Sequence, residues 1–196
     1  MKALFIGSLG LAAILLTSAC GPALHPFYTS GDLYEEPVIE GYWTNGDDTW
    51  EVRHVADSRY TLASCDPECK DRAPATLFRL GGSLFLDYQE SGASDKLGSA
   101  LFPHGVLKLR LNGNDEVEIA SIEEEALSEM LEQKRVQGLS YTRLGEKNGR
   151  LILTASSPRL QQFLSRYSGD PQLWSAPQVY RRATHAAGLQ PALTGF

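Results

Sequence analysis

Four histidines are the residues of this sequence that most directly suggest acid–base chemistry. His54 lies in a stretch of alternating apolar residues, His104 lies between a proline and a glycine, and His25 and His185 lie near the chain ends. A general base must reach a nucleophile, and none of the motifs G-x-S-x-G, H-E-x-x-H, P-loop or G-x-G-x-x-G accompanies them. We therefore predict no catalytic residue, and we expect His54 to be a core or rim histidine and His104 a loop residue.

Two neighbouring aspartates, Asp47 and Asp48, resemble a calcium loop only in part. They follow Asn45 and Gly46, but the spaced oxygen ligands and the distal bidentate glutamate of such a loop are missing. Asparagine, glycine and aspartate are also the residues that favour tight turns. We therefore predict a turn here, and neither a metal nor a cofactor anywhere in the chain.

The sequence has three cysteines, of which Cys65 and Cys69 are separated by three residues. Redox pairs usually have C-x-x-C spacing, and a structural zinc site needs more ligands than two. In an oxidising compartment this pair predicts a disulfide across a tight loop, with two free thiols as the alternative. Closing so short a ring stabilises the fold by only about 2 kcal/mol.

The first residues have the features of an export signal. Met1 and Lys2 provide a positive start, and residues 3–16 contain no charge. As a helix this run spans about 21 Å, less than the ~30 Å hydrocarbon core of a bilayer. The segment is thus too short for a comfortable membrane span and fits the apolar region of a secretory signal peptide.

The end of this leader, Leu16–Gly21, resembles the lipobox of bacterial lipoproteins. The resemblance implies that residues 1–19 are removed and that Cys20 carries a diacylglycerol and usually a third acyl chain, which together anchor the protein to a membrane. Thr17 departs from the more usual leucine, which leaves ordinary secretory cleavage open. Gly21 stands where an inner-membrane retention signal has aspartate, which favours the periplasmic face of the outer membrane.

The composition of the rest of the chain, and the positions of its proline and glycine residues, divide it into three parts. The proline-bearing residues 20–37 read as a lipidated tether, residues 38–182 as a single β domain, and residues 183–196 as a flexible tail. The net charge of −6 and the isoelectric point near 5.2 exclude nucleic acid as a plausible partner.

Short alternating segments separated by turn residues predict a mainly β fold. Residues 106–111 place Leu107, Leu109 and Leu111 on one face, and short loops make such strands antiparallel neighbours. Two helices interrupt the strands, and the first begins near Ser121 and Glu124, which have the spacing of a capping box. We expect nine or ten strands in an antiparallel meander that forms a curved sheet or partly closed barrel, with the helices covering an open side or end.

The first core strand, Gly41-Tyr42-Trp43, resembles the G-x-W signature of lipocalins. In those proteins the tryptophan closes one end of the barrel and an arginine from the last strand stacks on it. The resemblance implies a barrel-closing pair of Trp43 with Arg181 or Arg182.

The wider pattern resembles a group of uncharacterised bacterial envelope lipoproteins, which implies a fold and a location but no activity. The segments that carry this resemblance are residues 27–33, 40–43, 49–52, 78–87 and 151–156.

These features lead us to expect a non-catalytic, lipid-anchored β domain that binds a small apolar molecule or lipid in its concave face. The aromatic side chains expected near that face are Trp50, Tyr60, Phe85 and Tyr88. The alternative is that the same residues simply fill a packed core. The alternative function is a periplasm-facing interaction or structural module that docks an envelope protein through a sheet edge or the acidic helix.

Overall fold

A computed structural model describes residues 22–66, 68–89, 103–144 and 149–184 of the chain. Cys20 and the leader, the last residues from His185 onward, and the connections around residues 90–102 and 145–148 lie outside the described residues. The described part contains ten strands and two α-helices, as expected. They are β1 Gly41–Thr44, β2 Thr49–Ala56, β3 Arg59–Cys65, β4 Cys69–Leu80, β5 Ser83–Gln89, β6 His104–Leu111, β7 Glu116–Ser121, α1 Glu124–Glu132, β8 Tyr141–Leu144, β9 Arg150–Leu153, α2 Ser157–Tyr167 and β10 Gln178–Ala183.

Eight of the strands form a closed antiparallel barrel in the order β1-β10-β7-β6-β5-β4-β3-β2. The mainly β, antiparallel prediction is therefore confirmed. Closure is complete because β10 pairs with β7 on one side and with β1 on the other. These last contacts join segments far apart in sequence, which is why the alternation of single strands could not distinguish a curved sheet from a barrel.

The inner face of the barrel carries one hydrophobic core, which we call the inner core. Its fully buried members are Ile39, Trp43, Val52, Tyr60, Leu62, Ala75, Leu77, Leu84, Leu86, Leu109, Val117 and Tyr180. Period-two alternation puts every second residue of each strand on this face. The inward positions predicted for Leu107, Leu109 and Leu111 are confirmed.

A second core lies on the outer face of β4–β7, and we call it the outer core. Phe78 and Phe85 point outward from the barrel, with their rings 5.4 Å apart, and the helices and the β8–β9 hairpin cover them. The barrel closes by itself, so there is no open side for the helices to cover, and they pack instead against the outer core. Phe85 is likewise not near the interior, because it lies one residue out of phase with Leu84 and Leu86.

The two helices differ from the sequence prediction at their starts. The expected capping box is not formed, since α1 begins at Glu124 and its N-cap Glu123 makes no side-chain cap. Ser121 ends β7, and Glu124 instead accepts a hydrogen bond from the backbone N–H of Leu151 at 3.1 Å. In the described part of the chain, no helix has the length and apolar character needed to cross a membrane.

The segment before the first strand is packed against the domain, contrary to the prediction of a tether over residues 20–37. Ala23 is fully buried and exchanges backbone hydrogen bonds of 2.8 Å with His104, and Phe27 is fully buried in the outer core. Further along, Leu33 forms an isolated bridge with Phe78. Apolar side chains of the segment, among them Ala23, Phe27 and Tyr28, therefore pack into the outer core.

Candidate functional site

One end of the barrel is closed by a short 3-10 helix, Pro37–Ile39, together with Trp43 and Arg182, and we call it the sealed end. The indole N–H of Trp43 donates to the carbonyl of Ile39 at 2.8 Å, which fixes the ring below this helix. The ring is only 3% exposed. Hydrophobic burial and one specific hydrogen bond therefore hold Trp43 in place at the sealed end of the barrel.

Arg182 covers this tryptophan from outside. Its guanidinium carbon lies 4.4 Å from the ring centroid of Trp43, within the range of a cation–π contact. Its nitrogens donate to the carbonyl of Asn114 at 2.9 Å, to that of Glu40 at 2.8 Å and to that of Val38. One side chain thus joins the last strand, the β6–β7 turn and the segment before β1.

The sequence left Arg181 and Arg182 as alternatives, and the structure assigns the stacking to Arg182. The register pairs Trp43 with Arg182, so these two side chains share the inner face. Arg181 faces outward, is 77% exposed and lies 3.4 Å from Glu116. Tyr180 lies two residues before Arg182, and residues two apart on a strand face the same side. The aromatic Tyr180, which is buried in the structure, could therefore have indicated that Arg182 and not Arg181 faces inward.

The opposite end of the barrel, which we call the loop end, carries the β1–β2 turn and the tip of the β3–β4 hairpin. Here Trp50, Leu107 and Ile119 face the inner core yet remain partly exposed. The ring of Tyr88 crosses β6 so closely that a Cβ atom on Gly105 would lie 2.4 Å from it. The loop end therefore carries apolar and aromatic side chains of the inner core that are partly exposed.

Polar groups converge on the same region. The hydroxyl of Tyr180 donates to Gln178 Oε1 at 3.0 Å and interacts with the side chain of Trp50. Burial and the nearby carboxylate of Asp48 raise the pKa of Tyr180, while the hydrogen bond from Trp50 lowers it. The net effect is an upward shift, so this hydroxyl stays neutral and can orient a polar group of a ligand.

The β1–β2 turn at this end has the turn chemistry predicted for it. Asn45 Oδ1 accepts the backbone N–H of Asp47 at 3.0 Å and that of Asp48 at 2.7 Å. Among the described residues, no group of three or more histidine, cysteine, aspartate or glutamate side chains is arranged to hold a metal ion.

The predicted cysteine pair lies at the tip of the neighbouring hairpin. Cys65 and Cys69 are opposite each other on β3 and β4, with Cα atoms 3.9 Å apart and sulfur atoms at bonding distance. This crosslink restrains the hairpin tip at the loop end.

No family model, curated protein or solved structure matches this chain.

The histidines do not come together. His25 is exposed, and His54 Nε2–H donates to the carbonyl of Asp57 at 2.7 Å, with its ring 5.1 Å from that of Tyr60. His54 thus occupies the rim position expected for it. His104 was expected in a loop, but it begins β6 instead, because it pairs with Gln89 of β5 on one side and with Ala23 on the other.

His104 forms a buried pair with Asp87 that the sequence analysis did not anticipate. His104 Nδ1 lies 2.7 Å from Asp87 Oδ1, and Asp87 Oδ2 accepts the backbone N–H of Phe27 at 2.8 Å. Burial raises the pKa of Asp87, and the hydrogen bonds from His104 and Phe27 lower it less than burial raises it. Asp87 Oδ2 thus holds the N-terminal segment on the barrel while Oδ1 bonds His104 of β6, which accounts for the pair structurally.

Proposed function

We propose that this chain is a lipid-anchored bacterial envelope protein that binds a small apolar molecule in its barrel through the loop end. The observation that carries the proposal is the closure of one end by Trp43 and Arg182, together with apolar inner-core side chains near the other end. Arg182 stacks on Trp43 at the sealed end, and Trp50, Leu107 and Ile119 are partly exposed toward the loop end. An eight-stranded barrel is wide enough either to be filled by side chains or to hold one small ligand.

The groups at the loop end suit a ligand that is mostly apolar. Small-molecule sites are lined by apolar and aromatic side chains with a few polar groups that set orientation. Leu107 and Ile119 provide the apolar lining, and the hydrogen-bonded pair of Tyr180 and Gln178, with the indole of Trp50 beside it, provides the polar groups. The proposed role is binding without catalysis.

A lipid on Cys20 would hold the domain close to the membrane. Ala23 is already hydrogen-bonded to His104 and Leu153 accepts the N–H of Leu24 at 2.9 Å, so the packed structure begins only two or three residues after Cys20. At most about 3.6 Å per residue, such a link spans roughly 10 Å. The proposed anchor therefore acts as a short attachment, and the flexible tether of the sequence interpretation is not needed.

Binding can be measured with the apolar fluorophore N-phenyl-1-naphthylamine and the chain from residue 20 onward carrying Cys20→Ser, which retains every described residue. We expect saturable fluorescence enhancement. Leu107→Trp should weaken the affinity at least fivefold by filling the loop end. The matched control is Val179→Trp, because Val179 faces outward and is 41% exposed. Non-saturable enhancement, or an equal loss in both variants, would contradict the proposal.

The anchor is tested separately by growing the source bacterium, or a bacterial host, with labelled palmitate. The wild-type chain should take up label and lose residues 1–19, and Cys20→Ala should remain unlabelled. An unlabelled wild-type chain that keeps its leader would remove the anchor from the proposal without bearing on the barrel.

A further inference from the structure

A groove of about 420 Å³ lies between α2 and the connection that follows α1, on the side of the molecule that carries the outer core. Its apolar floor is formed by Val136, Leu139 and Phe163, which are at most 8% exposed. The polar wall is formed by Arg159, Gln162 and Arg166 of α2, and the volume is within the usual range of small-molecule sites.

The two arginines of this wall are available to a ligand. Arg159 donates to Gln162 Oε1 at 3.0 Å, and the guanidinium carbon of Arg166 lies 5.6 Å from the ring centroid of Tyr167. Within the described ranges, neither guanidinium has a carboxylate partner within 4.0 Å, and no acidic residue lines the groove. Among the described residues, therefore, no carboxylate neutralises this groove, in a chain whose net charge is −6.

Helical periodicity places these groups together. Arg159, Gln162 and Arg166 are spaced i, i+3 and i+7, so they form one stripe of α2, while Leu160, Phe163 and Leu164 face the outer core. Guanidinium groups bind phosphate through two parallel hydrogen bonds, which favours a phosphate over an uncharged headgroup.

We propose that this groove binds an amphiphile with one phosphate headgroup and one alkyl chain. Arg159 and Arg166 hold the phosphate, and the chain lies along Leu139 and Phe163. Charge complementarity on one wall and apolar surface on the floor together select this chemistry. The site is independent of the barrel interior and of the lipid anchor.

Isothermal titration calorimetry of the chain from residue 20 with Cys20→Ser tests this, using dodecyl phosphate below its micelle concentration. We expect one site per chain and at least a tenfold weaker affinity in Arg159→Ala/Arg166→Ala. Arg159→Lys/Arg166→Lys should give an intermediate loss, because lysine keeps the charge but not the paired hydrogen bonds. Arg110→Ala is the matched control, since Arg110 is 70% exposed on the barrel and should leave binding unchanged.

Two further ligands complete the test. Dodecyl maltoside has the same chain without the charge, and inorganic phosphate has the charge without the chain; both should bind at least tenfold more weakly than dodecyl phosphate. Equal binding of either one would overturn the proposal. An unchanged affinity in the double alanine variant would also overturn it. Leu107→Trp should not alter this affinity, so failure here and failure of the barrel site are distinguishable.

Discussion

The guanidinium of Arg182 passes directly over Gly41, so that a Cβ atom added at Gly41 would lie 2.5 Å from Arg182 Nη1. Gly41 also has a φ of 134°, a conformation that side-chain-bearing residues rarely adopt. The close approach of Arg182 and the positive φ both require a glycine at this position of the G-x-W segment. The absence of a side chain on Gly41 lets Arg182 reach Trp43 and the surrounding backbone carbonyls.

Gly41→Ala should therefore lower the free energy of unfolding by roughly 1–3 kcal/mol, since it imposes backbone strain and displaces Arg182. Urea denaturation measures this. Gly31→Ala is the control, because nothing lies within 4 Å of a Cβ atom there. In an Arg182→Ala background, Gly41→Ala should lower the free energy of unfolding only by the backbone strain. If the losses of the two single variants simply add in the double variant, the two residues are not coupled.

Arg182→Ala should cost about 2–4 kcal/mol, because it removes charge-assisted hydrogen bonds to three backbone carbonyls and the stacking on Trp43. Arg181→Ala should stay within about 0.5 kcal/mol, since that side chain is 77% exposed. Chemical denaturation followed by tryptophan fluorescence compares the two variants. Similar losses in both would mean that the assignment of the stacking arginine is wrong.

The raised pKa of Asp87 predicts a specific dependence of stability on pH. A carboxyl group with a raised folded-state pKa contributes stability that is fully present below its unfolded value, near 3.8, and that is lost as the pH rises through the folded-state pKa. The neutral isostere in Asp87→Asn does not titrate. The stability of Asp87→Asn relative to wild type should therefore increase as the pH is raised above about 3.8.

Urea unfolding across this pH range measures that difference. A flat difference between Asp87→Asn and wild type would show that burial does not control this carboxyl group. Hydrogen exchange at Phe27 provides a second readout, because its N–H donates to Asp87.

The opposite dependence is expected for Glu51, which is 2% exposed on the outer face of β2. Burial raises the pKa of Glu51, but the hydrogen bonds from Tyr42 and Arg53 and the ion pair with Arg72 lower it by more, so the net shift is downward from 4.5. Its contribution is thus present above pH 4.5 and lost as the pH falls through the folded-state pKa.

Glu51→Gln should lower the free energy of unfolding by roughly 1–3 kcal/mol at pH 7, because charge-assisted hydrogen bonds become neutral ones. This deficit should shrink as the pH falls below 4.5. Glu68→Gln is the control, since Glu68 pairs with Lys70 on the surface and both side chains are about two-thirds exposed, at 66% and 69%. A deficit that persists unchanged at low pH would contradict the role of the Glu51 charge.

The local features of this protein follow from its sequence alone. Period-two alternation determined that Trp50, Val52 and Leu107 face inward, because adjacent residues of a strand point to opposite sides. The spacing of Cys65 and Cys69 was sufficient to predict their contact across a hairpin. The turn at Asn45 likewise depended only on its own side-chain chemistry.

Only the tertiary structure decided how distant segments meet. The closure of the barrel, the partnership of Trp43 with Arg182 and the pair of Asp87 with His104 each join residues that are more than ten positions apart. The tertiary structure also brings Phe85 together with apolar residues of the N-terminal segment, and these side chains form part of a second core outside the barrel. Sequence periodicity specifies which side of a strand a residue faces, but the register between strands and the packing of layers specify what lies there.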